Sequence, residues 1–130
     1  MSAPKKYLGQ HWLYDKQILD EIADAADVKS GDNILEVGPG KATLTDILLG
    51  RGAIVTAVEI DRALAQELSG LNKSDLKVIN NDILSFDFMQ MPVGYKIVAN
   101  IPYYLTSNLV RVISESPNPP STAVILIQKE

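Results

Sequence analysis

Ile34-Leu35-Glu36-Val37-Gly38-Pro39-Gly40-Lys41 is the stretch that decides the fold. A short, mostly apolar run enters a glycine turn, and Leu44, Ile47 and Leu48 follow it at helical spacing. A buried strand from Ile34 to Val37 that turns on glycine into an amphipathic helix is the opening unit of an open α/β sheet. In such sheets a nucleotide-like ligand settles at the carboxyl ends of the strands. Gly38 and Gly40 permit the sharp turn and a close approach without a Cβ in the way. The helix behind them aims free N–H groups at that place.

Upstream of this unit, Ser2 to Leu13 is polar and aromatic without periodicity and reads as an extended arm. Asp15 is placed to cap a helix from about Lys16 to Ala26, with Ile18, Leu19, Ile22, Ala23 and Ala26 on one apolar face. Downstream, a helix from Ala42 to Leu49 closes at Gly50. Ile54 to Val58 is a β-branched second strand that ends in Glu59-Ile60-Asp61, and Asp61 is placed to cap a helix to about Leu68. Leu76 to Ile79 makes a third strand before Asn80-Asn81-Asp82, and residues 86–92 form a connector without a clear pattern. Tyr95 to Ala99 is a fourth strand that ends in the turn Asn100-Ile101-Pro102-Tyr103-Tyr104. Thr106 or Ser107 caps a helix carrying Leu109, Val110 and Ile113. Ser116 to Pro120 is a rigid loop, and Thr122 to Ile127 is a fifth strand. Strands alternating with helices imply right-handed βαβ units, so the expectation is an α/β protein with a doubly wound, mainly parallel five-stranded sheet.

Composition bounds the function classes. At 130 residues the chain is one domain's worth, and 46% hydrophobic with 22% charged residues argues against disorder. The absence of cysteine excludes a disulfide framework and a thiolate metal site, and no metal is expected. No charged-then-apolar leader opens the chain, and no apolar run approaches the ~18 residues of a membrane span, so a cytoplasmic protein without membrane contact is expected. A net charge of −4 argues against nonspecific nucleic-acid binding by the chain as a whole, while leaving room for a local basic patch such as Lys5-Lys6.

The glycine loop alone does not identify a ligand. Thr43 stands at the third position of the dinucleotide fingerprint, which makes a pyrophosphate a poor match. A tight strand-to-helix turn with no ligand remains open. Glu59 ends the second strand, where an acid can accept from a ribose diol; a solvated strand-end carboxylate explains it as well. Asp82, at the same rim, can accept from an adenine amino group or simply form an Asx turn. Glu36 lies inside a buried strand and needs a partner, either a ligand's ammonium or the glycine-loop amides. Acids on three successive strands suit adenosine joined to a cation, and S-adenosylmethionine is such a ligand.

Asn100-Ile101-Pro102-Tyr103 sits where chemistry at the sheet rim belongs. An adenine amino group is a poor nucleophile because its lone pair is delocalised into the ring. The Asn100 amide oxygen and the Ile101 carbonyl, both accepting from it, would favour a pyramidal nitrogen aimed at a methyl sulfonium. Pro102 lacks an N–H and stiffens the turn, and Tyr103 can stack on a base taken out of its helix. An ordinary Asn-x-Pro turn with a core tyrosine is the plain alternative.

These residues make the chain resemble the ribosomal RNA adenine N6-dimethyltransferases, which include the small-subunit dimethyladenosine transferases and the erythromycin-resistance methyltransferases. The resemblance runs from Leu8-Gly9-Gln10-His11-Trp12-Leu13 through Glu36 to Gly40, Val58 to Asp61, Asn81 to Ile83 and Asn100 to Tyr103, and reaches Gln128-Lys129-Glu130. It implies a Rossmann-like fold and S-adenosylmethionine as methyl donor, contacted by His11, Leu13, Gly38, Glu59, Asp82 and Asn100. The matched motifs add Glu36, Gly40, Ile60 and Ile83 to the cofactor-binding candidates. Asn100, Ile101, Pro102 and Tyr103 are the catalytic candidates. The family often has Asn where this chain has His11. The Gln-Lys-Glu ending and the Leu-Gly-Gln start are nearer the small-subunit enzymes, and Lys41 leans towards the resistance enzymes.

The resemblance further implies ribosomal RNA or an assembling small subunit as partner, with dimethylation of small-subunit rRNA adenines as the reaction. It also leads us to expect that residues 1–130 are the cofactor-binding part of a methyltransferase domain, truncated after the fifth strand. The C-terminal helical RNA-binding domain is expected to be absent, and the fragment inactive or nearly so. The bare edge of the fifth strand would then be a place for self-association. Methylation of large-subunit rRNA, or a non-catalytic module that binds S-adenosylmethionine or RNA, are the alternatives. A nicotinamide-dependent oxidoreductase is disfavoured by the missing third glycine.

Overall fold

A computed structural model of the chain describes residues 15–128. Its centre is β1 (Asn33–Val37), flanked by β2 (Ile54–Glu59) and β4 (Lys96–Pro102), with β3 (Leu76–Asn80) and β5 (Thr122–Gln128) outside them. The order β3-β2-β1-β4-β5 is parallel throughout. The chain steps outward from β1 to β3 and then crosses to β4 on the other side. That reversal puts a topological switch point between β1 and β4, where ligands of open sheets collect.

Strands covered on both faces read as continuous apolar runs, and β1 obeys this: Ile34 and Leu35 are fully buried on opposite faces. On one face Ile34, Val55, Ala57 and Val98 pack beneath α1 (Lys16–Ala25), α2 (Thr43–Gly50) and α3 (Arg62–Ser69), through Leu19, Ile22, Leu44, Leu48 and Leu68. On the other, Leu35, Val37, Val58 and Ile97 pack against Phe86, Phe88, Met91 and Leu109 of α4 (Thr106–Glu115). The expected doubly wound architecture is therefore present. Among the described residues, no helix is long and apolar enough to cross a membrane.

The helix caps follow their residue chemistry. Asp15 accepts from the Gln17 N–H at 2.9 Å and Asp61 from the Leu64 N–H at 3.0 Å, both from extended conformations. The expected cap of α4 by Thr106 or Ser107 is absent. A 3-10 turn over Tyr103–Leu105 runs directly into the helix with Leu105 already in the helical region, so no residue is extended enough to reach back as a cap. At α2, Ala42 is not helical but left-handed (φ +71°), and the helix starts at Thr43.

The fourth strand also differs from expectation. Tyr95 stands before it, its hydroxyl donating to the Asn118 carbonyl at 2.9 Å, and burial pushes that phenol up to about 12. Asn118 in turn donates to the carbonyls of Phe88 and Met91, pinning the 86–92 connector as a 3-10 turn over Phe88–Gln90. At its far end β4 runs through Asn100 and Ile101 to Pro102, because β5 keeps pairing with it there. Asn100-Ile101-Pro102 is thus strand rather than turn.

Candidate functional site

The ladder between β1 and β4 stops at Val37 and Ala99, while β4 and β5 stay paired to Pro102 and Gln128. Beyond Ala99 the β1-facing side of β4 therefore has no strand beside it. A proline fits there because no ladder on that side asks for its N–H. The gap opens into a cavity of about 250 Å³ lined by Val37, Gly38, Val58, Glu59, Ile60, Asn81, Asp82, Ile83, Asn100, Ile101, Pro102 and Leu105. Every strand from β1 to β4 contributes at or just past its carboxyl end.

Gly38 makes the near wall. Its φ is +72°, its N–H donates to the Val58 carbonyl at 3.0 Å, and a Cβ on it would meet the Asn100 carbonyl oxygen at 2.7 Å. That distance is shorter than any tolerable contact, so β1 and β4 approach here only because residue 38 is glycine. The turn keeps Asn100 at the mouth of the cleft.

Glu59 makes the floor between β2 and α3 and is 6% exposed. One carboxylate oxygen accepts from the Gly40 N–H at 3.1 Å and the other from the Asp61 N–H at 3.0 Å. The glycine-loop amide expected to serve Glu36 or a ligand is thus latched to Glu59. Asn80 fixes the strand end by donating to the carbonyls of Glu59 and Ile60 at 2.9 and 3.1 Å. Asp82 lines the cavity and also takes the Asx role, accepting from the Leu84 N–H at 3.0 Å to cap the 3-10 turn Ile83–Ser85. The Asx turn is thus present, and it leaves Asp82 in the cavity wall.

Glu36 lies elsewhere. It is 2% exposed and absent from the cavity wall, and its partner is the Thr45 hydroxyl of α2, which donates at 2.6 Å. Burial pushes the carboxyl up to about 7; the Thr45 bond opposes that, and the fields of Asp46 and Glu59 add to it. Tyr103 and Tyr104, between the lining residues Pro102 and Leu105, are 70% and 79% exposed and do not line the cavity. His11 and Leu13 lie outside the described residues.

The structure therefore brings together Gly38, Glu59, Ile60, Asp82, Ile83, Asn100, Ile101 and Pro102, and leaves Glu36, Gly40 and Tyr103 outside the wall. Val37, Val58, Asn81 and Leu105 line it without having been singled out. The two valines precede residues that were, so strand-end position was the usable signal. Thr45 carried none, because its link to Glu36 exists only once α2 is laid on β1. Among the described residues, no group of His, Cys, Asp and Glu is arranged to hold a metal.

The family model described as ribosomal RNA adenine dimethylase matches residues 1–130. Ribosomal RNA small subunit methyltransferase A of Deinococcus radiodurans is 44% identical over 131 residues, covering 98% of this chain and 44% of that protein. Its counterpart in Dehalococcoides mccartyi is 40% identical, covering 97% and 45%. Among solved structures, a dimethyladenosine transferase from Plasmodium falciparum superposes with a TM-score of 0.76 at 32% identity, covering 88% of this chain and 42% of that one. The 23S rRNA methyltransferase ErmE gives 0.73 at 31% identity, covering 88% and 47%. The chain thus spans under half the length of these curated relatives.

Proposed function

The chain belongs to the ribosomal RNA adenine dimethylase family, and on that premise we propose that it is the cofactor-binding part of an S-adenosylmethionine-dependent N6,N6-dimethyltransferase for adenines of small-subunit rRNA. One observation carries the reading: Gly38 lets the Asn100 end of β4 into the same cleft as Glu59 and Asp82. An amide acceptor for an amine then faces a pocket that two acids make suitable for an adenosine-bearing cation.

The fit is chemical. A carboxylate has about four acceptor sites, and two of those on Glu59 hold Gly40 and Asp61. The rest suit a ribose diol, while Asp82 suits the cofactor's adenine amine. Ile60 and Ile83 supply apolar wall for the purine. Bound there, S-adenosylmethionine supplies an electrophilic methyl group. Asn100 and the Ile101 carbonyl orient the target amine, Pro102 fixes the strand end, and the exposed Tyr103 stacks on the target base. His11 and Leu13 remain candidates for the arm's share of the cofactor. Ribosomal RNA, in an assembling small subunit and a cytoplasmic setting, is the partner. The likeness to ErmE supports large-subunit rRNA as a second reading of the target.

Calorimetric titration of this chain with S-adenosylmethionine tests the cofactor reading. Saturable binding is expected, weakened tenfold or more in Glu59→Gln, from the loss of charged hydrogen bonds of about 1.5–3 kcal/mol. A folded chain, by circular dichroism, that takes up no ligand would refute it. For the chemistry, Asn100→Ala in the longer protein should abolish transfer to rRNA while leaving cofactor affinity in place; persistent transfer removes Asn100 from its role.

A further inference from the structure

Phe86, Phe88 and Tyr95 are buried in the core, the two phenylalanines edge to face at 5.3 Å and the tyrosine hydroxyl bonded to Asn118. Tyr103 and Tyr104 are the reverse. They are 70% and 79% exposed, side by side, with no ring contact and no hydroxyl partner among the described residues. A buried aromatic ring is a large apolar gain, so two adjacent rings left in water return nothing to the fold. Such positions are where function is to be sought.

The backbone sorts the two rings into separate places. Tyr103–Leu105 is a 3-10 turn, and with three residues per turn its side chains leave the axis about 120° apart. Leu105 is given to the cleft, as one of its lining residues. The two tyrosines therefore diverge from that wall and from each other, and one base cannot lie on both. The turn is fixed at both ends, because β4 stays paired to β5 through Pro102 and α4 continues from Thr106. Both rings are thus presented from a held stretch of backbone at the mouth of the cleft.

The surroundings say what chemistry such a ring can meet. Asn100 to Val110 carries no charged residue, and Arg111, the next cation along the chain, lies 3.6 Å from Glu115. A phosphate has nothing to pair with there, whereas every nucleobase has a face to lay on a ring. We propose that Tyr104 is a stacking platform for the nucleotide next to the target adenine, and that it favours a purine at that neighbouring position. The inference rests on the proposed function above, which gives Tyr103 the target base. Tyr104 is a positioning residue: it touches the neighbour and not the reacting amine. Holding the neighbour fixes the point from which the target base turns out of the strand. A purine offers the larger face, and stacking strength is what sets preferences of this kind.

The experiment is fluorescence anisotropy of fluorescein-labelled RNA pentamers titrated with this chain, saturated with S-adenosylhomocysteine. Each pentamer carries one central adenosine among uridines, and guanosine replaces the uridine on its 5′ side, on its 3′ side, or on neither. One of the two guanosine strands should bind about fivefold tighter than the all-uridine strand, the lower end of what one stacked base contributes. Tyr104→Leu, which keeps an apolar side chain without a ring, should erase that gain, and Tyr104→Phe should keep it. Tyr103→Leu should weaken all three strands alike and leave the gain in place. At 79% exposure Tyr104 tolerates both changes without unfolding, which circular dichroism checks. Equal binding of the three strands, a gain on both sides, a gain that survives Tyr104→Leu, or one lost in Tyr104→Phe would overturn the inference while the proposed function stands. A folded chain that takes up S-adenosylhomocysteine but none of the RNAs overturns it as well. A folded chain that takes up neither overturns both.

Discussion

Replacing Gly38 by alanine, with Gly40→Ala as its twin, isolates the contact that shapes the cleft. Both glycines have positive φ, +72° and +56°. Alanine at either therefore costs roughly 1–2 kcal/mol in left-handed strain. Only at Gly38 does the new Cβ meet an obstacle, the Asn100 carbonyl oxygen at 2.7 Å; around Gly40 nothing lies within 4 Å. The obstacle is main chain, held by the β4–β5 ladder on its far side, and cannot rotate away as a side chain would. Forcing it back by several tenths of an ångström adds an overpacking cost of about 1–3 kcal/mol. Gly38→Ala should lose roughly 2–5 kcal/mol and Gly40→Ala roughly 1–2 kcal/mol. Urea unfolding followed by circular dichroism reads both on one scale, provided the m-values agree. Equal losses within about 0.5 kcal/mol would show that β4 yields freely and that Gly38 does not set the width of the cleft.

Two further perturbations test the elements around the site. Asp61→Ala removes the acceptor for the Leu64 N–H, and should cost about 1 kcal/mol in the same unfolding assay; an unchanged midpoint would mean water replaces the cap at no loss. Glu36 has a folded-state value raised from 4.5 to about 7, so its contribution is fully present below about pH 4.5 and is lost as pH rises through 7. Thermal melts of the ligand-free chain should therefore show Glu36→Gln losing less stability than wild type between pH 5 and pH 8, by an amount on the order of 3 kcal/mol. Parallel pH curves would mean that the carboxyl is not desolvated in solution.

Most of the fold was legible because parallel strands must be apolar on both faces, and Ile34 to Val37, Ile54 to Val58 and the core of β4 advertise that directly. Asp15 and Asp61 marked helix starts for the same local reason, since an aspartate one residue before a helix binds its own chain. Local logic failed where tertiary pairing decides. Asn100-Ile101-Pro102 carries a turn signature, yet β5 extends the strand through it. Thr106 and Ser107 have capping side chains, yet the preceding 3-10 turn leaves neither in a capping conformation. The site was legible as a set of strand-end residues, because topology fixes where such residues meet. What could not be read was the allocation of hydrogen bonds: Gly40 serves Glu59, and Thr45 rather than a loop amide serves Glu36.

That allocation bears on how a ligand would be met. If the glycine loop closed only on binding, its amides would be left to solvent in the free protein and ordering it would draw on the binding energy. Here Glu59 already holds the loop through Gly40 and the start of α3 through Asp61, so one carboxylate fixes two walls of the cleft before any ligand arrives. The carboxylate itself is held by main-chain donors, and its strand end is tied to β3 by Asn80. A diol arriving at the remaining acceptor sites meets an oriented group and loses little entropy in aligning it. Glu59 is thus a latch, and in the proposed function also an acceptor, so its substitution should loosen the loop as well as remove ligand contacts. Gln, which keeps one carbonyl acceptor, should retain more of the latch than Ala. A larger loss of unfolding stability in Glu59→Ala than in Glu59→Gln, with both variants weakened in ligand binding, would separate the two roles; equal stability losses would mean that the latch contributes nothing beyond the bound state.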